Sequence, residues 1–402
     1  MRGLLAAPRN VDACYHGREA SGQRAAFAVT MATARPCLLP RFLRRRGADR
    51  ARGRGNMTAE LLRALRGGPG TRCLSLKARG LRRLPRGLGT MKGLERLSLR
   101  DNSLRRLPQD MKALGRLKVL NLGNNNFEEV PEQLKYLKSL QTLHLFRNKI
   151  TRISPLIFDG LQNLVLLNLN NNQLRYLPPE IQRLEHLECL SLDNNQLQKI
   201  PKEFCYLRKL CELHLFNNSI TALPEEIKYL RKLKILILAR NQIEELPDGL
   251  CKLKRLRVLD VAGNNIQIFP TAMEELELEE LYCESNPLLQ KHPVSAIQEE
   301  DILTLKELTA RFILDQLEKK NFNLHRALKQ NLNAQKMLAH KQECAQCRRG
   351  FLGMWLECVQ FVDIRQRMKT SRNLELLPVK ALLCSYKCFN QSGHELFGIA
   401  VP

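Results

Sequence analysis

From Thr71 to Pro287, apolar and polar positions recur in one frame, Leu-x-x-Leu-x-Leu-x-x-Asn, with a period of about 23 residues. The closing asparagines are Asn102, Asn125, Asn148, Asn172, Asn195, Asn218, Asn241, Asn264 and Asn286. In Leu94, Leu97 and Leu99 the last two leucines stand two apart, so an extended chain turns both to one buried side and Ser98 to the other. One short strand per repeat is expected. The asparagine falls where the chain must turn, and its amide can satisfy backbone groups of the turn and of the next coil that would otherwise be buried unpaired. An apolar-Pro pair opens the return half at Pro85, Pro108, Pro131, Pro178, Pro201, Pro224, Pro247 and Pro270, where the missing N–H excludes a continuing strand. Short helical segments such as 132–140, EQLKYLKSL, complete the repeat. The repeat containing Ser154-Pro155 is one residue longer and is expected to bulge on its outer side.

Stacked coils of this kind place parallel strands about 4.8 Å apart on the inside and bulkier return segments outside, so the spine curves into a horseshoe. The frame resembles the leucine-rich repeat. The expected fold class is α/β, a leucine-rich repeat solenoid of about ten coils with a helical, cysteine-containing C-terminal tail. A degenerate first coil carries Leu74, Leu76 and Leu81 but has Arg79 in place of the asparagine, as a capping repeat does. The expected division is an Arg-rich disordered extension at 1–56, the repeat domain at 57–292, a helical cap at 293–340 and a small cysteine module at 341–402.

Outward side chains of successive strands line up in columns on the concave face. The central column runs Ser98, Asn121, His144, Asn168, Ser191, His214, Ile237, Asp260, Tyr282, and its neighbour runs Arg100, Gly123, Phe146, Asn170, Asp193, Phe216, Ala239, Ala262, Glu284. His144 with Phe146 and His214 with Phe216 stand three coils apart, about 14 Å at strand spacing, and flank a polar belt that includes Asn168, Asn170 and Asp193. Exposed phenylalanines beside polar groups are what a protein-binding hot spot requires, so these seven residues form the candidate partner surface. The alternative is that they merely follow from the repeat. The two histidines are too far apart to share a metal ion.

The 402 residues are 44% hydrophobic, enough for a long core, and carry 65 Lys+Arg against 40 Asp+Glu, a net +25. That excess raises nucleic acid or anionic membrane as partners. Its distribution points elsewhere, since much of it sits in the N-terminal extension or on return segments such as Lys135, Lys138, Arg208 and Lys209, where it solvates the convex face. With one Trp the chain lacks stacking platforms for single strands, so neither a specific nucleic acid nor membrane insertion is expected. The extension also has the Arg-rich, acid-poor character of a mitochondrial transit peptide, while Met57 opens MTAELLRALRGG as a natural start would. Thirteen cysteines in a Lys-rich chain read as reduced thiols of the cytosol or nucleus. No phosphate loop, His-Glu-x-x-His or Gly-x-Ser-x-Gly occurs, so an enzyme is not expected.

Past Pro293 the frame stops. Ile302, Leu305, Leu308, Phe312, Ile313 and Leu317 form the apolar face of a helix, expected to seal the open end of the solenoid. Its segment TLKELTARFI, Thr304 to Ile313, resembles the BC box by which substrate receptors of cullin-RING ubiquitin ligases hold elongin C. That resemblance assigns the contact to Leu305, Thr309 and Ile313, with Thr309 where the box usually has Cys. Cys344-x2-Cys347 and Cys384-x3-Cys388 are two paired-thiol knuckles that suit a tetrahedral structural zinc, free cysteines being the alternative. Leu374 to Tyr386, LELLPVKALLCSY, resembles the cullin-contacting box of the same receptors around Leu377-Pro378-Val379. From about Met57 onward, GLQNLVLLNLNNNQL, AGNNIQIFP, YCESNPL, MWLECVQFV and LLCSYKCF make the chain similar to the leucine-rich repeat-containing protein 69 family. The resemblance implies a non-enzymatic protein-interaction scaffold of the kind used in signal transduction; the other expectation is a ligase substrate receptor with elongin C and a cullin as partners.

Overall fold

A computed structural model describes residues 71–84, 87–290, 303–319, 322–353, 355–364, 368–370, 374–391 and 396–398, all within one unit, 52–402. The Arg-rich extension, Pro85 and Ile302 lie outside the described residues.

Ten three-residue strands run in chain order: β1 Cys73–Ser75, β2 Arg96–Ser98, β3 Val119–Asn121, β4 Thr142–His144, β5 Leu166–Asn168, β6 Cys189–Ser191, β7 Glu212–His214, β8 Ile235–Ile237, β9 Val258–Asp260 and β10 Glu280–Tyr282. Each pairs in parallel with its sequence neighbours, making one continuous sheet. The third coil shows why. Leu120 and Leu122, two apart, are both fully buried, and the chain then turns through a left-handed residue, Asn124, with φ 54°. The equivalent residue of every coil has positive φ, from Ala78 to Ser285. Asparagine supplies it in coils three, five, six and seven, since Asn tolerates that region better than most side chains, whereas Arg147 and Arg240 occupy it against preference.

The next residue, Asn125, is buried and donates from Nδ2 to the carbonyls of Leu99 and Leu122, both at 3.0 Å, while its Oδ1 accepts from Leu104 N–H at 3.0 Å. Each later asparagine of the frame repeats this pattern, tying its coil to the one before. The return half forms one 3-10 turn, Glu132–Tyr136, rather than a longer helix. Its bonds run Leu134 N to Pro131 O, Leu137 N to Leu134 O and Leu140 N to Leu137 O, so the leucines recur every three residues on one side and all three are buried. The longer coil narrows to a three-residue turn, Pro155–Ile157, beginning on its proline.

The tail comprises helices α1 Leu305–Glu318, α2 Phe322–Gln330, α3 Leu332–Leu338 and α4 Tyr386–Phe389, with strands β11 Gln342–Glu343, β12 Gly350–Phe351, β13 Leu356–Asp363, β14 Lys369–Thr370, β15 Leu376–Leu383 and β16 Leu396–Gly398. The open end of the array is closed by strands, not by the helix expected there. β14 adds to β10 in parallel as an eleventh strand, and Phe269 of coil nine pairs with β15 through Phe269 N to Pro378 O and Lys380 N to Phe269 O, both 2.9 Å. Ile364, Leu377 and Val379 join the array's core. The physical reason is the sheet edge: an open parallel edge presents unpaired backbone groups as well as apolar side chains, and a strand satisfies both while a helix covers only the second. The helix α1 packs instead on β12.

Candidate binding surfaces and cysteine cluster

Strand register sets His144 opposite Asn168, Asn168 opposite Ser191 and Ser191 opposite His214. The column beside it holds Phe146, Asn170, Asp193 and Phe216, linked coil to coil by Arg147 N–H to Asn170 O, Asn171 N–H to Asp193 O and Asn194 N–H to Phe216 O. All seven candidate residues therefore lie on four neighbouring coils, His144, Asn168 and His214 at the ends of their strands and the other four two residues past the strand ends. Neither phenylalanine stands free in solvent as expected. The Phe146 ring lies over Gly123, where any Cβ would come within 2.4 Å of it, and the Arg100 guanidinium covers it at 5.1 Å. His144 meets the same ring edge-on at 6.2 Å. Phe216 is covered by Arg240 at 5.4 Å. Each half-buried ring thus carries a cation on its face, an arrangement worth roughly 0.5–1 kcal/mol at exposed sites. Arg100 belongs to the same column as Phe146, whereas Arg240 comes from the left-handed turn, a position that the alternation of the strands does not point to.

Asp193 is less available than its sequence position implied. Oδ2 accepts from Asn170 Nδ2 at 3.1 Å, Oδ1 accepts from Phe216 N–H at 2.9 Å, and Asp193 N–H donates to Asn170 Oδ1 at 2.8 Å. Burial pushes its carboxyl above the usual carboxylate range, while His214, Phe216 N–H and Asn170 pull the other way. It braces the sheet between the two rings. Burial, then the charge of Arg100, holds the His144 imidazole below its ordinary value, so it stays neutral, and its Nδ1 has no hydrogen-bond partner among the described residues. His214 Nε2 stands 3.9 Å from Glu212 Oε2.

On α1 the apolar row expected inside faces out. Leu305 is 80% exposed and Phe312 65%, Leu308 and Thr309 are exposed too, and Ile313 is half-buried. The buried row is Glu307, Ala310 and Leu314. Glu307, 3% exposed, accepts from Arg311 Nε at 2.7 Å and from the N–H groups of Leu352 and Gly353 at 3.1 and 2.8 Å, and Arg311 Nη1 donates to Cys384 O at 2.8 Å. A carboxylate with three donors can be buried where an unpaired one cannot, so an ion pair beside Ala310 and Leu314, rather than the row of Leu305 and Leu308, seats the helix. The i, i+4 spacing of Glu307 and Arg311 was the available signal. The segment resembling a cullin-contacting box is overturned as a surface: Leu377, Pro378 and Val379 are buried in β15, which pairs with Phe269 of coil nine.

The two cysteine pairs meet. Sγ atoms of Cys344, Cys347, Cys384 and Cys388 all lie within 4.8 Å of one another, with Cys347 to Cys384 at 3.5 Å and Cys384 to Cys388 at 3.6 Å. Four thiolates around zinc at about 2.3 Å would have edges near 3.8 Å, so this set fits one tetrahedral ion. The first pair sits in the β11–β12 turn, held by Cys344 N to Arg349 O and Arg348 N to Cys344 O with Arg348 left-handed at φ 63°. Burial raises the Cys344 thiol, but N–H groups of Cys347, Cys384 and Gln346 directed at its sulfur outweigh this and hold it down to about 7. Cys358, behind the cluster, is pushed up to about 12 by burial and remains a packing thiol.

No described helix is long and apolar enough to cross a membrane. Residues 92–150, 115–174, 138–197 and 231–288 match the family model described as leucine rich repeat. Over 131 residues, 33% of this chain, the sequence is 54% identical to leucine-rich repeat-containing protein 69 of Xenopus laevis, covering 38% of that protein. It is 47% identical over 124 residues, 31% of this chain, to the Homo sapiens protein of the same name, covering 36% of it. The chain thus spans little more than a third of the length of these curated relatives. A solved leucine-rich repeat protein of Leptospira interrogans superposes with a TM-score of 0.51 at 33% identity, covering 57% of this chain and 64% of that one. With a buried asparagine and a left-handed turn repeated coil after coil, the chain is a leucine-rich repeat solenoid whose curated homologues carry the name leucine-rich repeat-containing protein 69.

Proposed function

We propose that the chain is a non-enzymatic scaffold that binds a protein partner across the concave strands β4 to β7. Leucine-rich repeat arrays are interaction modules in general, and the observation that carries the specific reading is the pair of arginine-covered rings, Phe146 and Phe216, three coils apart with amides and a braced carboxylate between them. Such rings are rigid apolar anchors already desolvated on one face, which lowers the entropy cost of docking. The compartment proposed for the chain is the cytoplasm or nucleus, on the thirteen cysteines scattered through a Lys-rich sequence. In the same reading Cys344, Cys347, Cys384 and Cys388 hold one structural zinc ion.

A second reading, a substrate-recognition subunit of an elongin/cullin-RING ligase that uses Leu305, Thr309 and Ile313, is favoured by one observation, the exposure of Leu305 and Thr309 on α1 beside the half-buried Ile313. It keeps only its elongin half, since Leu377 to Val379 are not available to a cullin. One capture experiment tests both. Proteins recovered from cells with wild type are compared with those recovered by Phe146→Ala/Phe216→Ala and by Leu305→Ala/Ile313→Ala, each checked for unchanged melting. The scaffold reading expects at least tenfold loss of its partner with the concave variant only. Recovery unchanged by the concave variant sinks it, and elongin C lost only with the helix variant establishes the second.

A further inference from the structure

The cysteine cluster stands where three parts of the tail converge. β15 begins in the array's core with Leu377 and Val379, pairs with Phe269 of coil nine, and continues through Ala381, Leu382 and Leu383 into Cys384. The second pair of thiols is therefore the direct extension of the strand that seals the solenoid. Helix α1 is tied to the same point, because Arg311 Nη1 donates to the carbonyl of Cys384 itself and Leu314 lies against Gly350 beside the first knuckle. The core around the cluster is small: Cys344, Phe351, Cys358, Ala381, Leu382, Leu383, Cys388 and Leu396. A core of that size does not by itself hold a domain together, and small domains rely on a metal or another staple for the remainder.

We infer that zinc at Cys344, Cys347, Cys384 and Cys388 is what couples the seal on the last two coils to the seating of α1, so that both the closed end of the solenoid and the outward face of Leu305, Leu308 and Phe312 exist only in the metal-bound chain. This rests on the zinc reading above and adds its consequence for the rest of the molecule. Zinc binds by displacing protons from the thiols, and because it joins Cys344 and Cys347 to Cys384 and Cys388, it fixes β15 relative to the β11–β12 turn. Without it, β15 retains its pairing with β13, and its hold on the helix side falls to hydrogen bonds such as Arg311 Nη1 to Cys384 O.

The test uses the purified full chain and zinc itself as the probe. Metal content is measured first, then amide hydrogen exchange before and after chelation and after zinc is restored. The expected result is one zinc per chain and, on chelation, exchange faster by about tenfold or more in β10, β15 and α1, with β2 to β5 unchanged and full recovery on adding zinc. Zinc present but exchange in β10 and α1 unaffected by its removal overturns the coupling and leaves the site standing. No zinc, with all four thiols alkylated rapidly in the native chain, overturns the site and the coupling together. The variant Cys347→Ser provides a check that does not depend on the chelator, and the same amides must accelerate in it.

Discussion

At the scale of single residues, the concave face carries charge that folding does not favour. Asp260 sits in the central column with Oδ1 accepting from Ala262 N–H at 3.1 Å, and burial, followed by repulsion from Glu284, raises its carboxyl to about 6 from 3.8. Its ionised form therefore costs folding free energy at every pH above about 6, and that cost is relieved as pH falls from about 6 toward 3.8. Asp260→Asn keeps the acceptor and removes the charge. It should stabilise the chain by about 2 kcal/mol at pH 7.5 and by almost nothing at pH 4, read from urea midpoints at the two pH values. A gain of equal size at both would assign the effect to packing. The sequence placed Asp260, His144 and Asp193 in their columns because period-two alternation leaves no other side for them. It could not show that Asp193 spends both oxygens inside the sheet, which depends on the neighbouring coil's Phe216 and Asn170.

At the scale of elements, the return segments are set by how closely adjacent coils pack. A Cβ on Gly160 would lie 1.7 Å from the carbonyl oxygen of Lys135, and those on Gly89 and Gly249 would lie 2.2 and 2.3 Å from the carbonyls of Asp110 and Glu225. These glycines adopt ordinary backbone angles and are needed for proximity, not for a turn. Gly160→Ala should cost about 3 kcal/mol by forcing coils three and four apart, measured as a lowered denaturation midpoint; an unchanged midpoint would mean the outer wall can spread freely. Helix α1 gives the opposite lesson. Its apolar row was legible and its existence correctly expected, yet the face it buries is Glu307, Ala310 and Leu314. Periodicity locates an apolar stripe but does not supply the partner, and here three donors to one carboxylate outweighed the leucines.

At the scale of the molecule, the tail finishes the solenoid by imitating another coil, β14 extending the inner sheet and β15 closing the return side with Leu377 and Val379 in the core. Energy in a repeat array passes only between neighbours, so damage to the seal should stay near it. Leu377→Ala should cost about 3 kcal/mol and accelerate hydrogen exchange in β9 and β10 while leaving β2 to β5 unchanged. Uniform acceleration would show the array to be a single cooperative unit. The sequence by itself determined the coils, their strand positions, the asparagine ladder and the pairing of cysteines into two knuckles, since each follows from local spacing repeated in register. Only the tertiary structure decided what closes the end, which face of α1 is outward, and that the two knuckles meet. Those outcomes depend on contacts between segments far apart in the chain, such as Phe269 with Val379 and Arg311 with Cys384, and no local period encodes them.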